Sequence, residues 1–261
     1  MKLRLLKIDA FADRPLSGNP AALVPLEAWL PDALMQAIAL ENNQSETAFF
    51  VPEGEGYRLR WFTPNVEVDL CGHATLAAGE AVFRYLRPNA RNVRFETKSG
   101  PLTVERRDDG RLVMNFPATP PTPHAAPDAL VKGLGVAPIE ALGGPDHIAV
   151  FKDAATVKAL VPDLTALMTL DRRGVVATAP GANGVDYVLR FFAPKNAVPE
   201  DPVTGNAQTA LVPYWAKRLG KTTLEVRQLS ARGGAMTCSL VGDRVEIAGA
   251  CALYLDGTIE V

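Results

Sequence analysis

The sequence predicts an α+β protein of two pseudo-symmetric domains, each a mixed β-sheet wrapped around one central helix. Three observations carry this. Residues 57–64, Tyr-Arg-Leu-Arg-Trp-Phe-Thr-Pro, are echoed by residues 187–194, Tyr-Val-Leu-Arg-Phe-Phe-Ala-Pro. After each proline comes an acidic loop and then a Gly-led apolar run, at Gly72 and at Gly205. A repeat this long marks a duplicated domain rather than a short solenoid unit. Strand-like runs also outnumber helical ones in both halves, and each half holds one long, nearly apolar helical run. Residues 72–82 lack a broad polar face apart from Glu80, so this helix is expected inside a sheet rather than on a surface.

The elements follow in order. Residues 3–11 alternate as a strand, Ser17-Gly18-Asn19-Pro20 turns the chain, and residues 21–26 form a short apolar strand. Residues 31–41 have helical periodicity, with Leu34, Met35 and Ile38 on one face and Asn42-Asn43 ending it. Strands 47–51 and 57–62 are joined by the Glu53-Gly54-Glu55-Gly56 turn, and a helix spans 72–85. Strands 93–98, 102–107 and 111–116 follow, the last two a hairpin at Asp109-Gly110. Residues 117–127 carry five prolines and read as a linker without regular structure. The second half repeats the order: strand 148–151, a helix over 154–170 broken near Pro162, strands 175–179 and 185–192, and a helix over 205–219 kinked at Pro213. Strands 224–229, 235–240 and 244–248 come next, and 252–255 adds to either sheet. The domains are therefore 1–117, which the last strand 250–261 can join, and 118–249, with an active cleft between them.

Composition narrows the function. With 27 Lys+Arg against 29 Asp+Glu, no basic excess points to nucleic acid or an anionic membrane as partner. No apolar run approaches the roughly 20 residues that span a bilayer. Three cysteines without a Cys-x-x-Cys pattern suit a reduced, cytoplasmic protein. Three scattered histidines offer no metal-ligand spacing, and no glycine-rich phosphate loop indicates a nucleotide. No cofactor and no metal are therefore expected.

The chemistry is expected at the two helix starts. A helix leaves its first N–H groups without intrahelical acceptors and carries a partial positive charge there. Glycine lets an anion approach this backbone closely. Two such starts, Gly72 and Gly205, facing one cleft would hold a small carboxylate. The alternative is that each glycine marks only a tight loop-to-helix turn.

Four motifs, in order over nearly the whole chain, resemble those of the PhzF-like phenazine biosynthesis family. They are Ser17-Gly18-Asn19-Pro20, Ser45-Glu46-Thr47-Ala48-Phe49, Leu70-Cys71-Gly72-His73-Ala74-Thr75-Leu76-Ala77 and Glu200-Asp201-Pro202-Val203-Thr204-Gly205. That family is similar in fold to diaminopimelate epimerase and proline racemase. Its best-known member is a cofactor-free isomerase of trans-2,3-dihydro-3-hydroxyanthranilate. The resemblance implies Glu46 as the general acid/base, with Asn19, Gly72, His73, Asp201, Gly205 and Asn206 binding the substrate. It also implies a homodimer.

Two departures matter. Racemases of this fold place a thiol before each helix glycine. Here Cys71 precedes Gly72 but Thr204 precedes Gly205, and a hydroxyl is a very poor base near neutral pH. Where relatives often read Thr-Gly-Ser-Ala-His, this chain reads Thr204-Gly205-Asn206-Ala207-Gln208; the bulkier Asn206 still donates and accepts hydrogen bonds. Cys71 remains open between a small packed residue and one base of an epimerase. Arg232 and Gly233, opposite Lys98-Ser99-Gly100, line the cleft or end a solvated strand. Cys238 and Cys251 are packing. The expected function is a cofactor-free isomerase of a small carboxylate-bearing carbon acid. The alternatives are an epimerase or racemase using Cys71, and a silent small-molecule binding protein of the same fold.

Overall fold

The structure, a computed structural model, describes residues 1–261. It divides into two compact units, Met1–Asn115 with Ala248–Val261, and Phe116–Ile247.

In the first unit, strand Lys2–Ala10 lies antiparallel to Asn19–Pro25 on one side and to Cys251–Glu260 on the other. The latter ladder runs from Lys2 opposite Glu260 to Ala10 opposite Cys251, so the last strand is longer than the expected 252–255. Asn19–Pro25 pairs in parallel with Thr47–Glu53 through the helix Asp32–Asn42. Thr47–Glu53 pairs antiparallel with Gly56–Phe62, which pairs in parallel with Asn92–Glu96. The connection between the last two contains the helix Gly72–Ala81. Asn92–Glu96 then pairs antiparallel with Leu102–Arg106. The second unit repeats this alternation. His147–Val150 is parallel to Val175–Pro180, which is antiparallel to Tyr187–Ala193. Tyr187–Ala193 is parallel to Thr223–Gln228, which is antiparallel to Gly234–Val241. The repeat in sequence is thus a repeat in strand order.

Each central helix packs on the strands of its own unit. Every residue of the first from His73 to Gly79 is buried. It lies against Lys2–Ala10, Asn19–Pro25, Thr47–Glu53, Leu102–Arg106 and Cys251–Glu260. Leu76, fully buried, contributes about 1.5–3 kcal/mol by leaving water. Gly79 sets the closest approach: a Cβ there would stand 2.6 Å from Val104 Cγ1. The second helix, Gln208–Leu219, packs on Thr223–Gln228 and Gly234–Val241.

Several boundaries differ from the expectations. The first central helix ends at Ala81 and continues as one π turn, Val82–Leu86, closed by Arg87 N–H donating to Val82 O at 2.7 Å. The second does not start at Gly205. Residues 205–207 form a tighter lead-in with i,i+3 bonds, Gln208 N–H to Gly205 O at 2.9 Å and Thr209 N–H to Asn206 O at 3.1 Å, and the helix proper starts at Gln208. Pro213 lies within an unbroken helix. Its missing N–H frees the carbonyl four residues back, and Thr119 N–H donates to that Thr209 carbonyl at 2.9 Å. The expected 154–170 helix is two short ones, Ala154–Ala159 and Leu164–Leu167, whose first turns are capped by Asp153 and Asp163. The helix Asp128–Leu134 was not expected; it starts directly after Pro127 and stops at Gly135 in the left-handed conformation. The proline-rich stretch is not wholly irregular either, since Thr122–Pro123 pairs with Leu142–Gly143.

The turn before Asn19 depends on Gly18, which has φ +66° and would place a Cβ 2.3 Å from Ala10 O. Gly110 also has positive φ, at +84°, but open space around it. Gly18→Ala is therefore expected to cost roughly 2–4 kcal/mol and Gly110→Ala about 1 kcal/mol. Urea unfolding of the two variants checks the order; equal losses would show that the backbone at residue 18 relaxes.

Candidate active site

Three motif segments of the first unit meet at the start of the Gly72–Ala81 helix. Glu46 sits just before strand Thr47–Glu53, where the parallel ladder begins with Ala22 N–H donating to Glu46 O at 3.3 Å. Asn43, in the left-handed conformation, caps the preceding helix and turns the chain towards that strand. Cys71 is the extended N-cap residue, and its side chain caps no backbone group. His73 stands in the first turn. Its Nδ1 lies 3.5 Å from Cys71 Sγ and its Nε2 lies 3.3 Å from Glu46 Oε2. The Pro20 carbonyl also bonds the imidazole, which brings the Ser-Gly-Asn-Pro turn to the same place. Asn19, fully buried, opens its strand beside Pro20.

The three ligating side chains Glu46, Cys71 and His73 fall within 4.8 Å of one another. Yet the imidazole stands between thiol and carboxylate, one nitrogen towards each. The row suits the passing of a proton along it, and the same three side chains also bring one atom each close enough together to hold an ion. Burial pushes His73 down to about 4 from the ordinary 6.5, so it is neutral near pH 7. A Cβ on Gly72 would meet no protein atom within 4 Å. Its φ is not in the left-handed region, so neither crowding nor backbone strain demands glycine there. The space beside Gly72 leaves room for a ligand at the helix start.

The loop into this helix is pinned from two sides. Arg60 donates to both Glu67 oxygens, at 2.8 and 2.9 Å, and Ser99 Oγ donates to Asp69 O at 2.8 Å. The second unit repeats both devices. Arg190 donates to Glu200 at 2.7 and 2.9 Å, and Ser230 Oγ donates to Pro202 O at 2.7 Å. The Ser230 turn carries Arg232, half-buried, and Gly233, whose N–H returns to Ser230. Asp201 ends strand Val198–Asp201 and accepts from Thr204 Oγ1 at 2.6 Å. Gly205 and Asn206 occupy the lead-in turn rather than a helix start, and the Asn206 carbonyl accepts from Thr209. Asp201, Gly205, Asn206, Arg232 and Gly233 thus belong to the second unit; Asn19, Glu46, Cys71, Gly72 and His73 to the first. Burial pushes the Cys238 and Cys251 thiols up, as suits packing residues.

The family described as phenazine biosynthesis-like protein, PhzC-PhzF, matches residues 8–257. The chain belongs to that family. An uncharacterized isomerase of Pseudomonas aeruginosa is 51% identical over 261 residues, the whole of both chains. A crystal structure of a PhzF-family protein of Enterococcus faecalis superposes with a TM-score of 0.97 at 45% identity, covering 100% of each chain. A hydroxyproline epimerase of Agrobacterium vitis shares the fold alone, with a TM-score of 0.68 at 11% identity over 99% of this chain and 91% of its own. The diaminopimelate epimerase-like α+β fold and the isomerase class of enzyme are therefore those of this family. No helix is long and apolar enough to cross a membrane.

Sequence reasoning missed the glutamines. Gln208 and Gln228, both buried, bind the backbone around Thr204. Two neighbouring signals were in view: the departure at Gln208, and an Arg-to-Glu spacing that lengthens by three between the repeats.

His73 generates a pH prediction. Between about 4 and 6.5 the unfolded chain binds a proton that the native imidazole resists. Stability must therefore fall as pH drops through this window and be indifferent to His73 above it. Wild type should lose about 2 kcal/mol more than His73→Asn between pH 7.5 and pH 5, read by urea unfolding. A gain instead would mean that the Glu46 carboxylate outweighs burial.

Proposed function

We propose that this chain is a cofactor-free isomerase of a small carboxylate-bearing carbon acid, with Glu46 as the proton carrier. The observation that supports this most is the Glu46 carboxylate set 3.3 Å from a buried, neutral imidazole at a helix start, next to Gly72 with open space before it. The substrate's carboxylate is held by the N–H groups at Gly72 and His73, and the family resemblance assigns Asn19, Asp201, Gly205 and Asn206 to its polar shell. Glu46 takes a proton from one carbon as the electron pair moves into the adjoining unsaturated system. The same carboxyl then returns that proton to another carbon on the same face, so substrate and product have the same atoms. Neutral His73 donates its one N–H to the Pro20 carbonyl, which leaves Nε2 to accept from Glu46 when that carboxyl carries the proton. The resemblance also carries a homodimer, and the sparse cysteines suit a cytoplasmic location; light scattering after size-exclusion chromatography tests the first.

One observation favours a second reading, an epimerase with Cys71 as a base: its Sγ lies 3.5 Å from His73 Nδ1. Two observations weigh against it. An imidazole that resists protonation gives a thiolate little support. The matched residue in the second half is Thr204, whose hydroxyl donates to Asp201 and supplies no second thiol.

Glu46→Gln keeps shape but removes the base, so turnover should fall by roughly 10² to 10⁴ with binding retained. Cys71→Ala should do far less. Both are read as deuterium incorporation from solvent into trans-2,3-dihydro-3-hydroxyanthranilate and a panel of small α,β- and β,γ-unsaturated acids. Exchange that survives Glu46→Gln and vanishes in Cys71→Ala transfers the assignment to the thiol. A panel that wild type leaves wholly unexchanged, while binding its members, favours a silent binding protein.

A further inference from the structure

We propose that Thr204 and Gln228 are positioning residues that lock the Asp201 carboxylate in one orientation, so that the second half presents a fixed acceptor where a racemase would carry a thiol. This deepens the reading above and rests on its placing of Asp201 in the substrate's polar shell. Gln228, 1% exposed, spends its amide on one short segment. Its Oε1 accepts from Thr204 N–H at 2.8 Å, and its Nε2 donates to Asp201 O at 2.7 Å and to Thr204 Oγ1 at 3.2 Å. Because an amide N–H already donates to the Thr204 hydroxyl oxygen, that hydroxyl's single proton is directed elsewhere. It goes to Asp201 Oδ2 at 2.6 Å. The direction of every bond in the ring is then fixed, and one carboxylate oxygen is tied to it.

A second layer holds the ring from behind. Gln208, fully buried, donates from Nε2 to Thr204 O at 3.0 Å, and Tyr187 Oη donates to Gln208 Oε1 at 2.5 Å. Tyr187 is itself stacked on Trp215, with ring centroids 5.6 Å apart and planes 9° from parallel. The N–H, C=O and hydroxyl of Thr204 are thus all bound by buried amides or by the carboxylate they serve. The matched position in the first half is Cys71, whose sulfur faces His73 instead. A thiol is a weak donor and would hold a carboxylate poorly. Threonine at 204 therefore trades a potential base for an anchor.

The test uses ligand-free, full-length protein labelled with ¹³C at aspartate carboxyls. Thr204→Val, which keeps the volume and removes the proton, should move the Asp201 ¹³Cγ resonance. Thr204→Ser should restore it. Gln228→Met should speed exchange of the Thr204 amide about tenfold, the effect of losing one hydrogen bond, while amides of the Gly72–Ala81 helix exchange as before. An Asp201 resonance unmoved in Thr204→Val, or moved equally in Thr204→Ser, overturns the proposal, as does unchanged Thr204 protection in Gln228→Met. If Gln228→Met fails to fold, the valine and serine pair still decides. Glu46→Gln should leave all these signals in place. Failure of the proton-transfer reading would therefore appear in the exchange assay alone, and failure of the anchor in the spectra alone.

Discussion

The two-oxygen grip of an arginine on a glutamate, made once in each half, is the constraint on which the rest of the structure depends. Arg60 and Glu67 are each mostly buried, with side chains 18% and 16% exposed. A guanidinium fork matches a carboxylate in both distance and plane, so the pair fixes angle as well as separation. Each arginine also lies over a phenylalanine of its own strand, Arg60 over Phe62 and Arg190 over Phe192. The strand therefore dictates where the acidic loop begins, and the loop dictates where Cys71 or Thr204 emerges. Asp32 and Lys98 share the charge of the first pair. In the second, Arg190 turns a third nitrogen to the Leu160 carbonyl at 2.7 Å. Removing either glutamate would leave a half-buried cation and an untethered approach to the site.

Duplication gave two similar scaffolds, and the site chemistry lies in how they diverged. The framework contacts match: arginine to glutamate, and serine to the carbonyl two residues before the Cys or Thr. The residues at the tip do not match. The first half puts thiol, imidazole and carboxylate in a row. The second puts hydroxyl, carboxylate and amide in a ring. A row with a proton-accepting group at one end suits transfer; a closed ring suits fixation. The three extra residues of the second loop, ten positions from Arg190 to Glu200 against seven from Arg60 to Glu67, include the short helical turn Pro194–Asn196, which absorbs the added length while the ion pair keeps its geometry.

Much of this was legible in the sequence because it is periodic or local. Alternation marked the strands, Gly-led apolar runs marked both central helices, and the residue at 46 stood out within the Ser45-Glu46-Thr47-Ala48-Phe49 motif. What escaped was set by tertiary partners. Nothing local separates a helix that starts at Gly205 from a tighter turn that delays it to Gln208; the difference lies in which carbonyls the first amides choose. Pro213 reads as a kink until Thr119 is seen to take the carbonyl that it frees. The helix Asp128–Leu134 was hidden by the prolines before it, although Pro127 is a natural residue to precede a first turn. Gln228 is invisible in isolation, since a buried glutamine differs from an exposed one only by its surroundings.

The pairing of the first strand with the last has a consequence for biosynthesis. Lys2–Ala10 is flanked by Cys251–Glu260 along its whole length, and the terminal amine of Met1 donates to the Val261 carbonyl. A ribosome releases the chain from its N-terminus onwards, so the unit whose residues appear first is the one that must wait for Cys251–Glu260. Every residue of the interior unit, Phe116–Ile247, has been made before the outer unit can close its sheet. The edge of the sheet beside Lys2–Ala10 therefore stays unpaired until Cys251–Glu260 has been made.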